Sequence, residues 1–170
     1  MAKTTDRISE TLPDGEEKRT YLCVVDESEE LDQAIRFACR RAMRAKGGRV
    51  GLLYIIAPAE FEHWLTVGDL MRQERREKAE ELLQVVAASV QKQTGTIPEL
   101  FIREGDIHEE LLKLINEDQN IKVLVLGAAT GAEGPGPLVS HLVTKMYGKL
   151  RVPIVVVPGN LTDEQIDAIT

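Results

Sequence analysis

Residues 121–158 constrain the fold more than any other part of the chain. An apolar segment, Val123-Leu-Val-Leu126, runs into Gly127-Ala-Ala-Thr-Gly131-Ala-Glu-Gly134-Pro-Gly136, then a short helical stretch, then Pro153-Ile-Val-Val-Val-Pro158. Strand, glycine loop, helix start and second buried strand make one βαβ unit, and open α/β sheets bind ligands at the carboxyl ends of such strands.

The remainder of the chain supplies the same alternation. Tyr21-Leu-Cys-Val-Val25 is a continuous apolar run, as expected of a central parallel strand buried on both faces. It ends at Asp26-Glu27-Ser28. From Glu29, the residues Leu31, Ala34, Ile35, Ala38, Ala42 and Ala45 share one helical stripe, with acids in the first turn, bases near the end and Gly47-Gly48 as a positive-φ stop. A second strand covers 49–56. A long charged helix is predicted over 69–93, its core side carrying Leu70, Ala79, Leu82, Leu83, Val86 and Val90, with Gly95 ending it. Residues 98–103 read as an edge strand, since they open with proline and carry polar side chains. Asp106 with Glu109 predicts a capping box for the next helix, which bears Ile107, Leu111, Leu114 and Ile115. These elements imply an α/β fold: a five-stranded parallel sheet with right-handed crossovers and helices on both faces, in a single domain. Residues 1–19 are polar and aperiodic and read as a mobile arm, 20–159 as the domain, and 160–170 as a tail whose Thr162 to Gln165 spacing starts a short helix.

Composition narrows the function classes. In 170 residues, 43% of them hydrophobic, one well-buried core is expected. A formal charge of −7 with no basic stripe argues against nucleic acid or an anionic membrane as partner. There is no apolar leader and no membrane-length run, so a cytoplasmic location is expected. Cys23 and Cys39 lack CxxC spacing and read as small buried hydrophobes. His63, His108 and His141 lie far apart, with no metal-ligand spacing, so no metal is predicted. No Gly-x-Ser-x-Gly elbow, Walker motif or Cys–His signature is present, and no catalytic residue is assigned.

Three features in order resemble the universal stress protein family: Val24-Val-Asp26-Glu-Ser28, the Gly105-Asp106 helix start, and Val123-Leu-Val-Leu-Gly127 leading to Val152-Pro-Ile-Val-Val-Val157. The resemblance spans roughly residues 20–158. It implies a flavodoxin-like sheet of order 3-2-1-4-5 in a small cytoplasmic stress-response protein that dimerises and, in one branch, binds ATP. It implies no catalytic triad and no obligatory metal. In that ATP-binding branch the loop after strand four reads Gly-x2-Gly-x9-Gly-(Ser/Thr). Here Gly127 matches, while Thr130, Ser140 and His141 occupy the other positions. At positive φ, Thr130 and Ser140 would each cost about 1–2 kcal/mol; a shift of one residue would put Gly131 in place of Thr130.

The resemblance therefore marks Asp26, Gly127, Gly131, Ser140 and His141 as candidate nucleotide-binding residues. Each has a plainer alternative. Asp26 also suits a helix-start carboxylate, the glycines suit a turn leaving a buried strand, and His141 suits an exposed helix face. Receiver-type phosphoacceptor chemistry is excluded, because strand three ends in Arg103-Glu104 and strand five in Pro158-Gly159 rather than in the required aspartate and lysine. No cofactor is assigned, and ATP or another adenine nucleotide is the ligand the resemblance admits. The expected function is a non-enzymatic regulatory or protective homodimer with a degenerate nucleotide pocket, acting through unidentified protein partners. An adenine-nucleotide sensor and a weak nucleotide hydrolase are the alternatives. The apolar strand at 153–157 would be an open edge, to be covered by the same strand of a second subunit or by the chain's own tail.

Overall fold

The computed structural model describes residues 17–58 and 65–170, with the side chains of 65–68 left out. Most of the expected N-terminal arm, and the Phe61, His63 and Trp64 segment, lie outside the described residues. The order of elements is β1 (Arg19–Val24), α1 (Leu31–Arg44), β2 (Gly48–Ile56), α2 (Leu65–Thr94), β3 (Glu99–Glu104), α3 (Ile107–Glu117), β4 (Ile121–Ala128), α4 (Pro137–His141), β5 (Ile154–Pro158) and α5 (Asp163–Ile169). A π turn (Leu142–Met146) and a 3-10 turn (Tyr147–Lys149) prolong α4.

The five strands form one sheet of order β3-β2-β1-β4-β5, and every adjacent pair is parallel. β1 is the central strand. Its period-two geometry sends Tyr21 and Cys23 to one face and Leu22 and Val24 to the other, and both faces are covered, so the strand reads as unbroken apolar sequence. The first face packs against α1, α2 and α5 through Ala34, Ile35, Ala38, Leu83, Val90 and Ile166. The second packs against α3 and α4 with its π turn, through Leu111, Leu114, Ile115, Val139 and Leu142.

The α1 stripe buries Leu31, Ala34, Ile35, Ala38 and Ala42 as its periodicity predicts, and Gly47 (φ 70°) turns the chain into β2. Burial pushes the Cys39 thiol up to about 11 and Cys23 higher still, which keeps both neutral and inert. On α2 the expectation holds from Ala79 onward but fails at Leu70, which is 59% exposed. Asp106 caps α3 by accepting the amides of His108 and Glu109, so the aspartate half of the expected capping box forms.

The tail folds back on its own chain. Thr162 and Gln165 complete a capping box, Asp167 receives two hydrogen bonds from each of Arg36 and Arg40, and Arg41 reaches the Thr170 carbonyl. Ile166 is fully buried beneath this clamp. The tail therefore lies on α1, and its ion pairs do not run along β5. Replacing Ile166→Ala should cost about 2–4 kcal/mol through lost burial and a residual cavity; chemical denaturation would measure this as a lower midpoint with little change in slope.

Candidate functional site

The strand order reverses at β1. Crossovers through α1 and α2 build the sheet to one side of it, and β4 lies on the other. A crevice must therefore open at the carboxyl ends of β1 and β4. It has a volume of about 360 Å3 and is walled by Val24, Leu126, Ile107, Leu138 and Val139, with Asp26, Glu27, Glu30 and Tyr54 at its polar positions.

Asp26 is exposed at the end of β1 and lines this crevice. Its Oδ1 accepts the Ser28 amide at 3.0 Å and the Ser28 hydroxyl at 2.5 Å, an Asx turn that directs the chain into α1. One carboxylate oxygen is thus committed to holding the turn.

Gly127 also lines the crevice, and a specific reason for glycine is visible there. A Cβ on Gly127 would stand 2.6 Å from the Glu30 carbonyl oxygen, and one on Gly159 would stand 2.6 Å from the Glu30 Cβ. The start of α1 is seated where neither position has room for a side chain. Glu30 had no signal in the sequence beyond its place before the α1 stripe, because the contacts are with its backbone and the first carbons of its side chain rather than with its carboxylate.

The loop from β4 to α4 takes its positive φ at Gly134 (92°) and Gly136 (100°). No non-glycine residue among those described has positive φ, so Thr130 and Ser140 do not incur the strain that positive φ would impose, and Gly131 is not in that region either. Gly131 is exposed, with open space beside it, and is not among the residues lining the crevice. Several loop amides are already engaged: Ala129 N–H donates to the Pro135 carbonyl, Gly134 N–H to Gly131, and Ser140 N–H to Gly136. Pro135 and Pro137 have no N–H to offer. Ser140 is exposed, and its carbonyl accepts the Thr144 hydroxyl at 2.6 Å.

His141 does not lie alone on a helix face. Its ring meets that of His108 with centroids 3.7 Å apart, joining the first turn of α3 to the end of α4. His108 Nδ1 is 3.6 Å from Asp106 Oδ1. Separated by β4, these histidines share no spacing that would have revealed the pair. Of the candidates, the crevice thus gathers Asp26 and Gly127, whereas Gly131, Ser140 and His141 are not among its lining residues. No group of three or more His, Cys, Asp or Glu placed to hold a metal occurs among the described residues.

Partial burial, then the neighbouring His108 and Lys145, push the His141 pKa below the ordinary imidazole value, with Asp106 opposing. The folded chain consequently holds this proton less tightly than the unfolded one. Its stability contribution is complete above the unfolded pKa of ~6.5 and is lost as pH falls through the lowered folded value. Melting temperature should therefore decline from pH 7.5 to 5, and His141→Gln should flatten that decline.

The family model described as the universal stress protein family matches residues 18–158. A search of curated protein sequences returns no match. Among solved structures, the universal stress protein UspA from Lactobacillus plantarum is similar at 16% identity with a TM-score of 0.67, over 82% of this chain and 97% of that one. The universal stress protein from Archaeoglobus fulgidus in complex with dAMP is similar at 15% identity and a TM-score of 0.58, over 82% and 97%. A universal stress protein in complex with cAMP aligns at 14% identity and a TM-score of 0.56, over 83% and 97%. At such identities the structural likeness establishes the fold, and the family match spans most of the sequence. The chain belongs to the universal stress protein family.

Proposed function

We propose that this protein is a non-enzymatic regulatory or protective member of its family, a cytoplasmic homodimer acting through protein partners, whose nucleotide crevice has lost its grip on a triphosphate. The observation that carries this reading is the composition of the crevice: three carboxylates, Asp26, Glu27 and Glu30, and no lysine, arginine or histidine among its lining residues that the structure describes. A triphosphate placed there would meet like charge where it needs donors and cations.

The dimer reading draws support from β5, which is the outer strand of the sheet and pairs there with β4. Val156 on this strand is 38% exposed, and an apolar open edge invites pairing with a second copy through residues 153–157. The α5 helix, clamped to α1, leaves that pairing available.

A second reading, an adenine-nucleotide sensor, is favoured by the dAMP and cAMP complexes of similar structures. Titration with Mg-ATP, ADP and AMP while following the melting temperature separates the two. The preferred reading expects no saturable shift with Mg-ATP. Saturation at a hundredfold over the dissociation constant would add about 2.7 kcal/mol and would support the sensor, while steady phosphate release would support a hydrolase. Sedimentation should give a dimer for the native chain and a monomer for Val156→Lys; a native monomer at tens of micromolar would sink the dimer reading.

A further inference from the structure

The crevice is built from acceptors. Asp26, Glu27 and Glu30 present carboxylate oxygens, the Ser28 hydroxyl is spent on Asp26, and Tyr54 supplies the other hydroxyl of the lining. Between these polar positions the walls are apolar, formed by Val24, Leu126, Ile107, Leu138 and Val139. A volume of about 360 Å3 lies at the lower end of the range for small-molecule sites. Such a site rewards a flat apolar body that carries several N–H and O–H donors and penalises an anion.

The surrounding charges reinforce this selectivity. Lys78 lies 3.1 Å from Glu27, so these two charges oppose each other at the rim, while Asp26 and Glu30 stand in no ion pair shown among the described residues. His108 and His141 stack on each other and do not line the cavity. On the loop side, the amides of Ala129, Gly134 and Ser140 are bonded within the loop and helix, and Pro135 and Pro137 interrupt the run of donors.

We propose that the crevice has kept the nucleoside part of a nucleotide site and lost the phosphate part, so that its ligand is a phosphate-free nucleoside. This rests on the reading of the crevice as a degenerate nucleotide pocket. Asp26 accepts hydroxyl or amino protons of the ligand with the carboxylate oxygen that the Ser28 turn leaves unused, and the apolar walls hold the base.

Calorimetric titration of the full chain with adenosine, AMP and ATP, without magnesium, tests it. Adenosine should bind at least about tenfold more tightly than AMP, and AMP more tightly than ATP. Asp26→Asn retains an oxygen acceptor for the turn while removing the charge. It should weaken adenosine and narrow its advantage over AMP. Glu27→Gln, which leaves the Asx turn untouched, should narrow the same advantage without weakening adenosine. AMP or ATP binding as tightly as adenosine would overturn the inference, as would an adenosine-to-AMP ratio unchanged in both variants. No heat with any of the three compounds would also overturn it while leaving the regulatory reading intact; that reading fails separately, on saturable Mg-ATP binding or phosphate release.

Discussion

The backbone and Cβ of Glu30 rest against the ends of β4 and β5 at points where even a methyl group would not fit, and much of the site follows from that contact. Gly127 and Gly159 admit it, one at the end of β4 and the other just after β5. Because α1 starts so close to the sheet, Asp26, Glu27 and Glu30 are gathered along one rim of the crevice. The strand reversal at β1 creates the opening, and the two glycines decide which groups border it. Gly127 therefore has a structural reason to be glycine that does not depend on any ligand.

A crevice of this topology in an acidic protein presents two opposing tendencies. The sheet's carboxyl edge and the apolar walls favour a planar ligand, whereas the carboxylate rim disfavours anions, since like charges in partly desolvated surroundings repel more strongly than they do in water. On the proposed reading, the loop tips the balance toward exclusion. Its positive-φ glycines, Gly134 and Gly136, fold it so that several of its amides bond within the loop and the helix that follows.

Much of this architecture was legible in the sequence, and the reasons are local. β1 and β4 announce themselves as unbroken apolar runs, the α1 stripe as a 3.6-residue period, and Gly47 and Gly95 as helix stops that the backbone confirms. The strand order followed from the family resemblance. Leu70 was misplaced because an apolar residue in helical register looks the same whether or not the sheet extends beneath it. The site was read less completely for a related reason. Asp26 and Gly127 lie at strand ends, where sequence pattern and topology coincide, and both reach the crevice. Contacts such as Glu30 on Gly127, or His141 on His108, join elements distant along the chain and depend on backbone approach and ring placement that no spacing encodes.

The match to the family ends at residue 158, yet the packed core does not. Beyond that limit, Ile166 plugs the first core layer and Asp167 holds two guanidinium groups of α1 together. A polypeptide trimmed to the shared segment would leave Arg36 and Arg40 repelling each other above an uncapped apolar hollow. The homology limit thus understates what this chain needs for a closed interior, and its last dozen residues are part of the architecture.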